Sequence, residues 1–395
     1  MVPNLRFKDF SLPWHKTAII DLLSFQNGIN GTPEQYGKGI KYISVGDILN
    51  NDYITYDKIV GSIDISQETL KNYSVTYGDI LFQRSSEIKE DIGRTNVYLD
   101  KDNKATFGGF VIRGKKIGDY NPAFFNVLLK SPSSRKSIVR LGAGAQHYNI
   151  GQENIKTLSF YFPDEEEQAK IANLFSKIDK RIQTQIKIIN DYKSLKKWIN
   201  DKIYSDLKCE YLSFSSVYVI AKEGGTPSTT KPEYYSGNIP FIKIDDLNKK
   251  YITENKVNIS EQGLSNSSAW IIPKNSVIMS NGATIGNVSI NTYPVSTKQG
   301  ILGIVPKDDV LTEYLYYLLN TTDFRRNLKQ VTTKGTIDCA YIKDIDHIKV
   351  KIPELEIQKS IIQILKRIDK KIELEVLILD FINKQKQYLL NNLFV

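Results

Sequence analysis

Three loops in the first half of the chain gather side chains able to hydrogen-bond the edges of nucleic-acid bases. They are Gln83-Arg84-Ser85-Ser86, Thr106-Phe107-Gly108-Gly109 and Gln146-His147-Tyr148. Each has an answer in the second half: Ser280-Asn281-Gly282-Ala283-Thr284, Ser296-Thr297-Lys298-Gln299-Gly300 and Thr336-Ile337-Asp338. Arginine can make two hydrogen bonds to guanine, and asparagine and glutamine pair with adenine. The candidate base-contacting residues are therefore Gln83, Arg84, Ser85, Ser86, Arg94, Gln146, His147 and Tyr148 in one half. In the other they are Asn281, Thr284, Lys298, Gln299, Lys334 and Thr336. Polar turns kept for solubility would look the same taken singly. That the positions persist while the side chains differ favours contact with two different targets. Arg135, Lys136 and Arg140, answered by Arg325, Arg326 and Lys329, lie on a repeated short helical stretch. They are candidates for neutralising phosphates, which positions a protein without reading sequence; a solvated helix face is the competing reading.

Catalytic signatures are missing. Gly37-Lys38 lacks the earlier glycine of a phosphate-binding loop, and no Gly-x-Ser-x-Gly turn is present. His15, His147 and His347 with Cys209 and Cys339 give no zinc-ligand spacing. Asn121-Pro122-Ala123-Phe124 is similar to the Asn/Asp-Pro-Pro-Tyr/Phe motif of amino-methyltransferases, but its second proline is absent and no glycine-rich cofactor motif precedes it. Pro122 reads instead as the first residue of a helix. Asp245-Asp246 and Glu165-Glu166-Glu167 read as a surface turn and a helix-start charge cluster rather than metal ligands.

Positioning these loops falls to a stretch that occurs twice. Pro163-Asp164-Glu165-Glu166-Glu167-Gln168 leads into Ile171, Phe175, Ile178 and Ile182, and Pro353-Glu354-Leu355-Glu356-Ile357-Gln358 leads into Ile361, Leu365, Ile368 and Ile372. The pairing continues without a gap through Ile186 and Val376, Ile189 and Leu379, and Tyr192 and Ile382. Steps of three and four mark an apolar helix stripe. A proline followed by carboxylates suits a helix start. The spacing predicts two helices of about 40 residues, roughly 60 Å long at 1.5 Å per residue. Neither has a core of its own, so each stripe needs the other, in antiparallel pairing within one chain; holding a homodimer together is the alternative.

The intervening segments repeat in outline. Trp14 to Phe25 reads as a short amphipathic helix with Ile19, Leu22 and Leu23 on its apolar side. Tyr42–Val45, Asp79–Phe82, Val97–Leu99, Phe110–Ile112 and Leu158–Tyr161 read as strands. Ala123 to Leu141 returns to helical spacing, with a break expected at Ser131-Pro132. In the second half Gly225-Thr226-Pro227 answers Gly31-Thr32-Pro33, Ser276–Met279 answers Asp79–Phe82, Ile285-Gly286 answers Ile92-Gly93, and Leu318-Leu319 answers Leu128-Leu129. The expected division is 1–163 and 209–353 for the two globular domains, with helices over 164–208 and 354–395.

Composition bounds the rest. A chain of 395 residues with 41% hydrophobic and 25% charged residues is ordinary for a globular protein of two or three domains. Two cysteines exclude a disulfide framework and fit a reducing cytoplasm. No apolar run approaches bilayer length, and the start Met1 to Phe7 has no signal-peptide apolar region. The net charge of +9 is spread along the chain and permits nucleic-acid binding without demanding it.

This pattern resembles the specificity subunit of type I restriction-modification systems, over essentially the whole chain. The residues carrying the resemblance are the Val2-Pro3-x-Leu5-Arg6-Phe7 start, the Gly-Thr-Pro elements, Leu81-Phe82 and Ile278-Met279 ahead of Ile92-Gly93 and Ile285-Gly286, and above all the Pro-x-x-Glu-x-Gln helix openings. The resemblance implies an α+β architecture of two pseudo-repeated mixed α/β target-recognition domains separated by two long antiparallel coiled-coil helices. It implies a cytoplasmic subunit without catalysis of its own that reads an asymmetric, bipartite site on double-stranded DNA, one half per domain. Partners would be two modification subunits using S-adenosylmethionine and two restriction subunits using ATP and Mg, with no cofactor on this chain. The helices would set the gap between half-sites at about one turn of DNA. The family's base contacts follow no fixed motif, so the candidate residues above rest on residue type alone. A tandem carbohydrate- or protein-binding module and a self-contained methyltransferase-nuclease are the rival readings.

Overall fold

The structure, a computed structural model, describes residues 2–282, 284–333, 335 and 338–394. The chain divides into two compact units, one of residues 1–186 with 377–395 and the other of residues 187–376. Each unit holds half of both long helices, which run from Glu165 to Asp206 and from Leu355 to Asn392.

The first unit is organised by an antiparallel sheet in the order Leu23–Asn27, Val111–Lys116, Ile80–Gln83, Thr95–Val97. Successive side chains of a strand face opposite ways, and here both faces are covered. Ile80 and Phe82 join Phe124, Phe125, Leu128 and Leu129 in the larger core, whereas Leu81 joins Ile43, Ile54, Tyr98, Phe107 and Val111 in a second one. A three-stranded sheet (Ser62–Ile63, Tyr36–Ile43, Thr106–Phe107) and a two-stranded one (His15–Ala18 with Ser159–Phe162) accompany it.

The second unit rebuilds the same three sheets. Its main sheet runs Tyr218–Glu223, Ile301–Pro306, Val277–Ser280, Val288–Asn291, Tyr251–Ile252. Val277 and Met279 face one core, and Ile278 faces the other. The smaller sheets are Val257–Ile259, Ile239–Ile242 and Ser296–Thr297, and Tyr211–Ser213 with Lys349–Lys351.

One sequence expectation changes here and another holds. Trp14 to Phe25 is not one helix: only Ile19–Leu22 is helical, between strands His15–Ala18 and Leu23–Asn27. Pairing with Ser159–Phe162 and Val111–Lys116 satisfies that backbone, and Ile19, Leu22 and Leu23 are still buried, so the apolar spacing fitted either conformation. The stretch from Ala123 does split at Ser131, into helices Pro122–Lys130 and Pro132–Val139, each opened by proline and capped by the preceding Asn121 or Ser131 side chain.

Within each unit the long helices run antiparallel. In the first, Phe175 meets Phe394 at 6.0 Å between ring centroids and Asp179 pairs with Lys386 at 2.5 Å. In the second, the Lys371 ammonium lies 5.8 Å from the centre of the Tyr192 ring, Lys196 pairs with Asp369, and Tyr204 and Ile361 share one core. A shielded stripe runs through Ile171, Phe175, Ile178, Ile182, Gln185, Ile189, Tyr192, Lys196, Ile199 and Ile203, with Ala172, Asn200 and Tyr204 buried beside it, and the residues 190 places on are shielded likewise. Steps alternating four and three give the 3.5-residue period of a coiled coil. Ile186 and Val376, expected on the seam, are 37% and 45% exposed; Gln185 and Glu375, one place earlier, are the shielded pair.

Candidate nucleic-acid interface

In each unit the described residues of the loops picked out by residue type, with those flanking them, meet at one end of the main sheet. In the first unit the Arg84 N–H donates to the Phe110 carbonyl at 2.9 Å, and the Ile150 N–H donates to the Arg84 carbonyl at 3.0 Å. Ser85 and Ser86 pair as a short strand with Asn149 and Tyr148. In the second unit the Asn281 N–H donates to Gly300 and the Ala340 N–H to Asn281, both at 2.9 Å. The Ala143–Asn149 bridge closing the third loop is matched by Thr333–Cys339. One backbone frame is thus built twice, with Arg84 equivalent to Asn281 and Phe110 to Gly300.

A fourth segment braces each cluster. The Gly28 N–H donates to Val111 at 3.1 Å and the Ile29 N–H to Phe107 at 3.1 Å, as the Gly224 N–H donates to Ile301 at 2.9 Å and the Gly225 N–H to Thr297 at 3.0 Å. These bonds make Gly224-Gly225 the counterpart of Gly28-Ile29, two residues ahead of the match through Gly31-Thr32-Pro33 that the sequence suggests. At Gly28 and at Gly224 an added Cβ would fall about 2 Å from a carbonyl oxygen, that of Gly108 and of Thr297, so glycine allows this approach. The second unit adds side-chain braces: the Gly300 N–H donates to Glu223 Oε1 at 2.7 Å, and the Gln299 N–H to Thr226 Oγ1 at 3.3 Å.

The candidate side chains fall into three groups. Arg84, Gln146, His147, Thr284, Lys298 and Gln299 are exposed on these loops, with Ser85, Ser86 and Tyr148 half-buried beside them. Arg84 Nη1 donates to the Gly109 carbonyl at 3.3 Å, which leaves most of its donors outward. Gln83 and Asn281 are buried, 5% and 1% exposed. Their amide nitrogens are held by the Ser85 carbonyl at 2.9 Å and the Ala340 carbonyl at 3.2 Å, and neither side-chain oxygen has a hydrogen-bond partner. Arg94 is exposed but away from the loop tips. It pairs with Asp91 and lines a cavity of about 480 Å³ with Lys130, Arg135 and Lys386. Lys334 and Thr336 lie outside the described residues, as do Ala283 and Ile337.

Among the phosphate candidates, Arg135 spends its guanidinium on the carbonyls of Gly93 at 2.8 Å, Ile92 at 2.7 Å and Glu90 at 3.0 Å. Burial pulls its pKa down to about 10, with Arg94 adding to the effect. Arg325 donates to Asn320 Oδ1 at 2.7 Å, and burial lowers its pKa as well. Arg135 thus braces the turn at Glu90–Gly93, whereas its equivalent Arg325 ties to Asn320 just ahead of its own helix. Arg326 is exposed and paired with Asp323, and Lys136, Arg140 and Lys329 are exposed. Among the described residues no group of three or more acidic, histidine or cysteine side chains is placed to hold a metal ion, and no helix is long and apolar enough to cross a membrane.

Residue type alone missed two features. Phe110, at the centre of the first cluster, is 67% exposed, and Ile88 on the neighbouring loop is 56% exposed; a search for hydrogen-bonding side chains passes over both. The Arg6–Glu167 pair was also missed. Glu167 is fully buried at the start of the first long helix, and Arg6 grips it through Nε at 2.8 Å and Nη2 at 2.6 Å while Trp14 Nε1 donates at 3.2 Å.

The type I restriction modification DNA specificity domain matches this chain twice, over residues 16–191 and 210–384. Over 96% of its length the chain is 24% identical to a putative type I restriction enzyme MjaX specificity subunit of Methanocaldococcus jannaschii, covering 92% of that protein. It is 24% identical to the HindI specificity subunit of Haemophilus influenzae over 75% of this chain and 80% of that one. A shorter match, 35% identical to the MjaIX specificity subunit of M. jannaschii, covers 42% of this chain and 37% of that protein. The fold is similar to a crystal structure of a type I restriction-modification S subunit from M. genitalium, with a TM-score of 0.52, 18% identity and coverage of 100% and 99% of the two chains. It is also similar to a chain from a structural study of complex assembly and conformational transition of the type I R-M system, with a TM-score of 0.67, 13% identity and coverage of 96% of each.

Proposed function

Because the chain belongs to the type I restriction-modification DNA specificity family, we propose that each of its two units reads one half of an asymmetric, bipartite site on double-stranded DNA. The observation that carries this is the loop cluster built twice on one set of backbone hydrogen bonds but dressed with different side chains. Equivalent backbone bonds hold the readers in the same way, and the exposed side chains differ, Arg84 and Phe110 on one against Lys298 and Gln299 on the other, which makes them read different bases. The two long helices, which both units share, set the unspecified gap between the half-sites.

The subunit carries no catalytic group of its own. It acts in the cytoplasm by recruiting two modification subunits, which use S-adenosylmethionine, and two restriction subunits, which use ATP and Mg. Matching surfaces on the long helices support two equivalent partners. Trp198 and Tyr388, 190 residues apart, are a matched exposed aromatic pair, 62% and 61% exposed; Leu377 and Phe381 are exposed on the second helix alone, where the first carries Lys187 and Asp191. Exposed apolar surface of this kind marks protein contact sites.

The test is to produce the chain with the methyltransferase and nuclease subunits encoded beside it and to map methylated bases genome-wide. The expected outcome is one interrupted, asymmetric motif, with neither methylation nor cleavage from the purified chain alone. Activity of the chain by itself, or a complex that leaves DNA unmodified, would overturn the proposal.

A further inference from the structure

We infer that Phe110 is a specificity-determining residue of the first unit, making an apolar contact with the methyl group of a thymine in its half-site; this rests on the two-reader function proposed above. The side chain is 67% exposed although it stands at the centre of the loop cluster. Its backbone is fixed from both sides. The Phe110 carbonyl accepts the Arg84 N–H at 2.9 Å, and the turn holding it is closed by the Val111 N–H to the Gly108 carbonyl at 2.8 Å. Gly108 is pinned in turn, donating to the Ile43 carbonyl at 3.0 Å. A Cβ on Gly108 would meet the Tyr42 hydroxyl, and one on Gly109 the Asn30 side chain, so the turn lies close against both side chains. The ring is therefore presented on a hydrogen-bonded platform that leaves two thirds of it exposed.

The second unit supplies the control. Its equivalent residue is Gly300, which accepts the Asn281 N–H in the same way but sits at φ +85°, a left-handed conformation that Phe110 does not adopt and that disfavours any side chain. The hydrogen bond that closes the cluster therefore forms without a ring at this position, and a largely exposed ring on the first unit is free to serve something outside the fold. On a face that reads DNA, an exposed phenyl between an arginine and polar loops matches the apolar feature of the major groove, the thymine methyl, which sits among donors and acceptors.

The experiment uses the assembled complex with its modification subunits and synthetic duplexes of the methylated motif. Each thymine is replaced in turn by deoxyuridine, which removes only the methyl group. Exchange of residues 209–353 identifies which half the first unit reads. With the natural chain, one substitution in that half should slow methylation about fourfold, the effect of one buried methyl group. In F110A that sensitivity should disappear, with relaxed base preference at the same position and every response in the other half unchanged. F110L, which keeps apolar reach, should restore part of the discrimination. Since the side chain is exposed, the melting temperature of each variant should equal that of the natural chain. An F110A complex with the original motif and deoxyuridine responses overturns the inference and leaves the two-reader function standing. A complex that recognises no bipartite motif removes that function and the inference with it.

Discussion

The Asn121 N–H donates to Gln168 Oε1 at 2.9 Å, and 190 residues later the Leu311 N–H donates to Gln358 Oε1 at 2.8 Å. Each glutamine also turns its amide nitrogen back to the proline that opens its helix, Pro163 at 3.0 Å and Pro353 at 2.8 Å. One buried side chain thus ties the first turn of a long helix to the loop before a short helix of the same unit. Glutamine suits the place because it offers a donor and an acceptor together. Replacing Gln168 or Gln358 by leucine strands a buried N–H and a buried carbonyl, and should cost about 2 kcal/mol in urea unfolding. Values within about 0.5 kcal/mol of the natural chain would show that the helix starts are held by apolar packing instead.

The Arg6–Glu167 pair predicts an asymmetric outcome. Glu167 is fully buried and Arg6 nearly so. Removing one partner leaves an uncompensated charge in the core and should cost about 3–5 kcal/mol, whereas replacing both by apolar residues of similar volume should cost much less. Thermal unfolding of E167L, R6L and the double variant measures this. If the two single costs simply add, the pair is not coupled and the account fails.

Exchange of residues 209–353 for the corresponding segment of a relative should change one half of the methylated motif and leave the other intact. The reasoning is local: the loop bonds of each unit close within that unit, and Asn200 and Tyr204 contact that segment through backbone and side-chain bonds at its base. Methylome sequencing reads the result, and changes in both halves would show that the readers are not independent.

How far the sequence disclosed this structure depended on what each pattern encoded. The long helices were legible because a stripe sustained over forty residues has no other physical reading. Their seam was misplaced by one residue at Ile186 and Val376, because these are the apolar residues there while the shielded places beside them hold the polar Gln185 and Glu375. The lead-in strands were misread because four residues of helix flanked by strands bury Ile19, Leu22 and Leu23 as well as a helix would. The loops were found by residue type, but type does not reveal exposure. Gln83 and Asn281 are packed inward, Arg135 is consumed by three carbonyls, and Phe110 is the most exposed aromatic residue of its cluster.

Lys130 makes stability pH-dependent in a direction that can be fixed. Its ammonium donates to the Asp52 carbonyl at 2.7 Å beside the cavity it shares with Arg94, Arg135, Asp179 and Lys386. Its pKa falls from 10.5 to about 8, chiefly through burial and then through the nearby Lys386, against the opposing pull of Asp52 and Asp179. Between about pH 8 and 10.5 the unfolded chain therefore holds a proton that the folded chain has released. Stability contributed by this group rises with pH across that window and is penalised below it, because the folded state must then bury a charge. Lys130→Met removes the titration. The natural chain should lose stability relative to the variant as the pH falls from about 10 to about 7.5, with a slope of at most about 1.4 kcal/mol per pH unit, the value for one proton. Urea unfolding of both proteins at matched ionic strength gives the difference directly and cancels the tyrosines and other lysines that titrate in the same range. A difference that stays constant across that range would show that Lys130 keeps an ordinary lysine pKa in the folded protein, and that water reaches its ammonium through the cavity.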